Sequence, residues 1–409
     1  MRKALILLIL LLFTFPSYSF TYKNGNASLS PYPGASEFVE YPDSLTPIFI
    51  NHVGRHGSRY PAGAFHSKML QNALLKADSL KTITKLGQEM LKDVTNVVEL
   101  SEGNWGQLNS IGENEHRGIA ERMYFHYPQL FDTATIQAIS SYSPRCIMSM
   151  TSFLHQLAKN SSNLTIETAS GKKYSRLVRN FDIDEDYKAF RKSAKYNSAY
   201  KKFQAANVPI EPLLRIVGED FPLDPKNMLE LALAEYYVCV GMDAMGIDYD
   251  PSPYFTLDEY RKMWSVFNFR QYLLYSASVL SNRPAQIAGP LLQDIIQTSD
   301  AKLAGKLDVT AKLRFGHAET LMPLLGLLQV PGAYYLTNYY DTLADNWQDY
   351  AMFPMASNLQ FVFFEAESGE VYVRVDYNEK PVRLIHDAKS DYVKWSDLRT
   401  HLLELVPLY

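Results

Sequence analysis

The hydrophobic positions of this chain fall into two patterns, one typical of buried strands and one typical of amphipathic helices. Short apolar runs predict strands over residues 47–53, 136–141 and 307–315, and a hairpin over 360–364 and 371–375. Apolar residues at i, i+3, i+4 and i+7 predict helices at Met150, Phe153, Leu154 and Leu157, over 291–296 and over 321–328. Strands that alternate with helices indicate an α/β fold.

The middle of the chain differs from its flanks. From about residue 163 to residue 284 it is mostly polar, with helical spacing and an apolar-acidic run over 228–245. We interpret this segment as an inserted, mainly helical cap, and residues 20–162 with 285–409 as the core. Residues 20–46 are rich in Ser, Pro, Gly, Asn and Tyr and predict an extended segment ahead of the first strand.

Residues 1–19 have the order of features found in a secretory signal peptide. Arg2 and Lys3 precede an apolar run from Ala4 to Phe13, and small polar residues follow. The run is short for a membrane span, so we expect an exported protein, periplasmic or secreted, that has no membrane anchor after cleavage. In that compartment Cys146 and Cys239 can form a disulfide or remain as buried thiols.

The charge balance excludes one class of partner. Without Arg2 and Lys3, 38 basic and 44 acidic side chains remain, which gives a formal net charge of −6. An acidic chain is not expected to bind nucleic acid in general. It can still bind a small anion if its basic groups converge on one pocket.

A cluster suited to anion chemistry follows the first predicted strand. Arg55 and Arg59 flank His56, and guanidinium groups match the oxygens of a phosphoryl group. Their charge also opposes protonation of His56, which keeps the imidazole nucleophilic. Gly57 permits close approach of the backbone, and Pro61 stiffens the end of the loop. By residue type alone, the cluster fits either phosphate-ester cleavage or a structural ion-pair network.

The spacing Arg-His-Gly-x-Arg-x-Pro over 55–61 resembles the signature of the histidine acid phosphatase branch of the histidine phosphatase superfamily. The resemblance implies that His56 is the nucleophile and becomes phosphohistidine. It also implies that Arg55 and Arg59 bind phosphate, together with Arg145, which follows a predicted strand. The implied fold is α/β, with a central mixed sheet flanked by helices and an inserted helical cap.

A second segment refines the resemblance. His317-Ala318-Glu319 stands where most of the branch has His-Asp, and this pattern is typical of the multiple inositol polyphosphate phosphatases, a phytase subgroup. The resemblance gives phosphate contact to His317 and proton donation to Glu319. It implies hydrolysis of inositol polyphosphates such as phytate, without metal or cofactor. The alternatives are a broad phosphatase for sugar phosphates and a non-catalytic exported binder of phosphoesters.

Other motifs are weighed against this assignment. His386-Asp387 is a literal His-Asp pair after a predicted strand at 381–385, but the apolar helix that follows His317 is missing there. His52 and His56 are four residues apart, without a third zinc ligand nearby in sequence. The segment 170–173 lacks the earlier glycine of a P-loop.

The cap contains basic residues that can reach the outer phosphates of a polyphosphorylated ligand. The candidates are Arg179, Arg191, Lys192 and Lys195. The more ordinary interpretation of such residues is a solvated helix face.

Overall fold

The computed structural model describes residues 20–34 and 38–407. The predicted signal peptide, residues 1–19, lies outside the described residues. Within the described ranges, no helix has both the length and the apolar character needed to cross a membrane.

A mixed sheet of eight strands forms the centre of the molecule. The strands are β1 (Leu45–Arg55), β2 (Thr135–Ser140), β3 (Thr165–Ser170), β4 (Ala311–Gly316), β5 (Asn358–Ala366), β6 (Val371–Tyr377), β7 (Lys380–Pro381) and β8 (Tyr392–Lys394). Their order is β3-β2-β4-β1-β5-β6-β7, and β8 also pairs with β6. β3, β2, β4 and β1 are parallel, whereas β5 to β8 pair in antiparallel fashion. The predicted α/β fold with a mixed sheet is confirmed.

Helices cover both faces of the sheet and form a second body above its carboxyl edge. They are α1 (Phe65–Leu80), α2 (Lys85–Ser101), α3 (Ser110–His126), α4 (Pro144–Asn160), α5 (Ser175–Val178), α6 (Asn180–Ile183), α7 (Glu185–Lys192), α8 (Ala194–Asn207), α9 (Glu211–Val217), α10 (Met228–Met242), α11 (Leu257–Tyr275), α12 (Arg283–Gln286), α13 (Gly289–Leu303), α14 (Ala318–Leu327), α15 (Leu343–Asn346), α16 (Asp349–Met352) and α17 (Trp395–Leu405). The amphipathic helices predicted around 150–157, 291–296 and 321–328 correspond to α4, α13 and α14.

The alternation of side chains along β1 explains the two-faced core. Phe49 and Val53 pack on one face with α13 and α14, whereas Ile50 packs on the other face with α3 and α4. Because successive side chains of a strand point to opposite faces, one apolar run can serve both layers. The ends of β1 and its parallel neighbours are therefore held rigidly.

The helical body is assembled from two separate parts of the chain. Its hydrophobic core joins α1 and α2 with α9, α10 and α11, and Ala27 of the amino-terminal segment packs into it. The segment 163–284 also begins with β3, which pairs with β2 at the edge of the sheet. The structure thus differs from the sequence-based boundary at residue 163, because an exposed six-residue strand in a polar segment carries little hydrophobic signal.

Two strand predictions need correction. The strand predicted over 381–385 is wrong beyond Pro381, because β7 contains only Lys380 and Pro381. The strand predicted to begin at Leu307 begins at Ala311. In contrast, the predicted hairpin is confirmed as β5 and β6, which pair in antiparallel register.

Candidate active site

Three parallel strands end at the same edge of the sheet and bring the candidate residues together. His56 follows the end of β1, and His317 follows the end of β4, where Arg55 pairs with Gly316. β2 leads into α4, whose first turn contains Arg145. The carboxyl ends of parallel strands are the usual location of sites in α/β folds. Residues more than 250 positions apart in sequence thus become neighbours.

The ring of His56 is held in one orientation. Its Nδ1 lies 2.9 Å from the carbonyl oxygen of Gly57. Because a carbonyl only accepts hydrogen bonds, Nδ1 carries the proton and Nε2 keeps its lone pair. Burial lowers the pKa of His56 well below its usual range, and the charges of Arg145, Arg55 and Arg59 lower it further. The imidazole is therefore neutral and nucleophilic at Nε2.

The loop after His56 is held tightly against α3. A Cβ on Gly57 would lie 2.5 Å from the carbonyl oxygen of Gly112, so only glycine fits this close approach. The carboxylate of Glu115 accepts hydrogen bonds from the backbone N–H of Ser58 and from its hydroxyl, both at 2.7 Å. These contacts fix the backbone between His56 and Arg59.

Arg55 is buried at the end of β1, and Arg59 is partly buried in the loop that follows His56. Nη1 of Arg55 donates to the carbonyl oxygens of Ser28 and Phe353, both at 2.6 Å. Burial lowers the pKa of Arg55 to about 10. Burial, and then the neighbouring charges of Arg145 and Arg55, lower the pKa of Arg59 to about 9. Both guanidinium groups remain charged at neutral pH, and an incoming anion would relieve their mutual repulsion.

His317 is buried next to Arg145. Nη2 of Arg145 is 3.2 Å from Nδ1 of His317, whose ring is 1% exposed. The rings of His56 and His317 are 5.7 Å apart, centroid to centroid. Burial lowers the pKa of His317 well below its usual range, with further contributions from Arg145 and Arg179. Two neutral imidazoles thus stand among several guanidinium groups.

A cavity of about 420 Å³ opens above these residues. Arg55, His56, Arg59 and Arg145 line its base, and Glu319, half-buried in the first turn of α14, lines its side. Helices α1, α7, α10 and α11 form the opposite wall and contribute His66, Arg191, Tyr237 and Arg270. The floor of the cavity is therefore positively charged and can bind one anionic group. The opposite wall carries a second set of positive charges.

Comparison with known proteins agrees with this geometry. A sequence profile described as histidine phosphatase superfamily (branch 2) matches residues 48–378. The chain belongs to this superfamily. The match to branch 2 of the histidine phosphatase superfamily runs from β1 to the end of β6. It therefore includes the three parallel strands whose ends carry the site residues.

Individual relatives are distant in sequence but similar over most of their length. The chain is 24% identical to human (Homo sapiens) multiple inositol polyphosphate phosphatase 1 over 395 residues, covering 89% of this chain and 80% of the relative. The structure of Bifidobacterium longum multiple inositol polyphosphate phosphatase in complex with inositol hexasulfate has a TM-score of 0.77 at 20% identity, covering 93% of this chain and 97% of that one. A phytase from D. castellii has a TM-score of 0.71 at 17% identity, with coverages of 94% and 85%.

Not all of the predicted outer residues lie in the cavity. Arg191 lines it, whereas Lys192 is exposed elsewhere and Lys195 donates to the carbonyl oxygen of Leu280. Arg179 contacts His317 rather than the cavity, because its Nη1 lies 2.9 Å from Nε2 of that ring.

The alternatives weighed at the sequence level are placed away from the cavity. His386 and Asp387 lie in an exposed turn. The ring of His52 is buried against Phe153 and Phe315, which favours a packing role. In the described ranges, no group of three or more His, Cys, Asp or Glu side chains is arranged to hold a metal ion.

The two cysteines do not form a disulfide. Both Cys146 and Cys239 are buried free thiols. Cys146 lies below the site, where its Sγ donates to the carbonyl oxygen of Gly316, whereas Cys239 lies in the core of the helical body. Of the two alternatives left by the sequence, the structure has the buried thiols.

The sequence patterns missed Arg270 and Glu115. Arg270 is a charged residue inside the mostly apolar stretch of α11, and Glu115 lies three positions after Gly112 in α3. A single charge in a buried helical stretch is a signal for a paired or functional group. This signal does not identify the part of the protein that the charged side chain contacts.

Proposed function

We propose that this protein is a phosphomonoesterase that hydrolyses inositol polyphosphates such as phytate through a phosphohistidine at His56. The observation that carries the proposal is the state of His56. Its Nδ1 is tied to Gly57, and the guanidinium groups of Arg55, Arg59 and Arg145 surround the ring. This arrangement leaves a neutral, oriented nucleophile beside the charges that a phosphoryl group requires.

The reaction has two steps. Nε2 of His56 attacks phosphorus, the bond to the ester oxygen breaks, and Glu319 protonates the departing alcohol. Water then attacks the phosphohistidine while Glu319 takes its proton, and the N–P bond breaks to release inorganic phosphate. Arg55, Arg59, Arg145 and His317 stabilise the phosphoryl oxygens in both steps.

The wall opposite His56 supports a polyphosphorylated substrate. Arg191 and Arg270 line it, and a ligand seated on the base with one phosphate can present others to these groups. The similarity to phosphatases named for inositol polyphosphates points the same way. A sugar monophosphate would leave both arginines without a phosphate to contact, which makes a broad acid phosphatase the second candidate.

Product analysis tests the proposal. Purified protein is incubated with phytate, and the inositol phosphates are separated by chromatography over time. We expect successive lower inositol phosphates from the wild type, and a loss of at least about 10³-fold in turnover for His56→Ala with the fold retained. His386→Ala serves as the matched control and should turn over normally.

Each alternative predicts a different outcome. Faster release from sugar phosphates than from phytate would favour the broad phosphatase. Binding of phytate without any phosphate release would favour the non-catalytic binder. Activity that survives His56→Ala, or that is lost with a chelator and restored by a metal, would contradict the proposed mechanism.

We also propose that the protein is exported to the periplasm or secreted, with residues 1–19 removed. The charged start and the apolar run from Ala4 to Phe13 support this location. Mass spectrometry of the protein from the producing cell, fractionated by compartment, tests it. A cytoplasmic protein that retains its first residues would contradict export.

A further inference from the structure

His317 is enclosed by two guanidinium groups. Nη2 of Arg145 lies 3.2 Å from Nδ1, and Nη1 of Arg179 lies 2.9 Å from Nε2. A guanidinium group only donates hydrogen bonds, and a neutral imidazole has one acceptor nitrogen. Only one of the two contacts can therefore be a hydrogen bond while His317 is neutral. The tautomer of His317 decides which one.

Arg179 is held firmly in its position. Its Nε donates to the carboxylate of Asp182 at 2.7 Å, and its Nη2 donates to the same oxygen. Its guanidinium carbon lies 4.6 Å from the centre of the Tyr142 ring and 5.1 Å from that of Phe181. An ion pair and two aromatic contacts fix the direction of Nη1.

Arg145 is held more loosely. Its Nη1 meets the carbonyl oxygen of Gly106 only at 3.5 Å, the outer limit of a hydrogen bond. Its buried Nε has no hydrogen-bond partner within the described part of the chain. Because Arg145 also lines the cavity, its side chain can turn toward an entering anion. Arg179 cannot move away from His317 without breaking its ion pair with Asp182.

We propose that Arg179 is a positioning residue that holds His317 in the Nδ1–H tautomer by donating to Nε2. Nδ1–H and Arg145 then converge on the same phosphoryl oxygen. These two donors lie 3.2 Å apart, and a phosphoryl oxygen placed between them can accept a hydrogen bond from each. This role rests on the proposed function, and it differs from the outer substrate contact that the sequence suggested for Arg179.

The opposite tautomer is disfavoured by the same contacts. With the proton on Nε2, the ring could donate to Oγ of Ser141, which lies 2.9 Å away. The Nε2–H would then also face the N–H of Arg179, and two donors at 2.9 Å repel each other. Removing Arg179 should release this constraint and let Nε2–H of His317 donate a hydrogen bond to Oγ of Ser141.

Long-range ¹H–¹⁵N NMR of protein with labelled histidines tests the tautomer directly. The chain has nine histidines, and a His317→Gln variant assigns the signal. We expect the Nδ1–H tautomer in the wild type, with and without inorganic phosphate, and the Nε2–H tautomer in Arg179→Met. The Nε2–H tautomer in the wild type, or no change in Arg179→Met, would overturn the proposal.

Kinetics provide a second measurement. With p-nitrophenyl phosphate, we expect Arg179→Met to lower kcat by about 10- to 100-fold with a smaller effect on KM. The loss of a nearby cation should also move the limb of the pH profile that reports protonation of His317 to higher pH. Arg179→Lys keeps a charged donor and should recover part of the loss, and Arg176→Met, a neighbouring exposed arginine, is the control.

The two proposals can fail separately. An unchanged pH profile in Arg179→Met, at wild-type kcat, would overturn the positioning role of Arg179 while leaving the phosphatase activity intact. Full activity of His56→Ala would overturn the proposed function, whereas the tautomer of His317 would still be measurable by NMR.

Discussion

At the scale of single residues, the site depends on hydrogen-bond direction as much as on charge. His56 is oriented by a carbonyl oxygen that can only accept, and His317 by a guanidinium group that can only donate. In the proposed mechanism, each ring has one nitrogen committed to the protein and one directed toward the substrate. Such commitments fix the tautomers before substrate arrives, which lowers the cost of reorganisation during reaction.

Glu319→Gln tests the acid at this scale. A glutamine cannot protonate the leaving oxygen, so the phosphorylation step should slow by about 10²- to 10⁴-fold with phytate. With p-nitrophenyl phosphate, whose leaving group departs without protonation, the loss should be much smaller. Rapid-quench measurement of the first turnover compares both substrates. Equal losses with the two substrates would show that Glu319 is not the proton donor.

Asp349 is a second residue with a measurable effect, this time on stability. It accepts hydrogen bonds from the backbone N–H of Ser28 and from Nε1 of Trp264, and Ser28 in turn accepts from Arg55. Burial raises the pKa of Asp349 to about 6. The folded state therefore binds a proton more tightly than the unfolded state between about pH 4 and pH 6.

The sign of the pH effect follows. The contribution of Asp349 to stability is complete below the pKa of the unfolded chain and is lost as pH rises through about 6. Relative to Asp349→Asn, the wild type should lose up to about 3 kcal/mol of unfolding free energy between pH 4 and pH 7. Denaturant titrations at several pH values measure this, with exposed Asp345→Asn as the control. A pH-independent difference would contradict the prediction.

At the scale of elements, the close contact between the β1–α1 loop and α3 holds His56 in place. The backbone of Gly57 meets that of Gly112, and Glu115 of the same helix holds Ser58. Because the contacting atoms are backbone on both sides, the helix cannot yield as a flexible side chain would. The position of α3 therefore fixes the position of His56.

Gly57→Ala should disturb both stability and activity. A Cβ at 2.5 Å from a backbone oxygen forces the loop and α3 apart, at a cost of about 1 to 3 kcal/mol. Turnover should fall with it because His56 moves from its position. Gly63→Ala, in the same loop with no atom near the added Cβ, should change stability little. Thermal unfolding and kcat/KM of both variants measure the effect, and equal behaviour of the two would contradict it.

At the scale of the whole molecule, the cavity is shared between the sheet and the helical body. The sheet edge forms the floor of the cavity and carries His56. Helices α7 and α11 supply Arg191 and Arg270 of the opposite wall. Tyr196 shares a hydrogen bond with Arg270, and Tyr237 lies next to the same guanidinium group. Under the proposed function, substrate choice depends on the helices that carry Arg191 and Arg270, whereas the chemistry takes place at the sheet edge.

Arg270→Met tests this division. The loss of one charge-assisted contact should raise KM for phytate about tenfold, which corresponds to about 1.4 kcal/mol. KM for p-nitrophenyl phosphate should change by less than about twofold, because a monophosphate does not reach the opposite wall. Arg261→Met, exposed on the same helix and paired with Asp345, is the control. An equal rise for both substrates would place Arg270 at the reacting phosphate instead.

The sequence by itself predicted the α/β fold, the strand that precedes His56, and the segments around Arg145 and His317. These features depend on local spacing: apolar runs mark buried strands, and polar residues after strand ends meet at one edge of a parallel sheet. The candidate acid Glu319 came from the resemblance of residues 317–319 to a known family, not from local spacing. The motif at 55–61 then resembled a known family, which the comparison confirmed.

Only the tertiary structure decided which basic residues face the cavity. Arg191, Lys192 and Lys195 lie close in sequence, yet only Arg191 lines the cavity, and Arg270 comes from a helix outside that basic stretch. Arg179 has an obvious charge but acts on His317, because Asp182 and two rings fix its direction. Local patterns determine which face of an element is buried. The packing of distant elements determines which partner a long charged side chain meets.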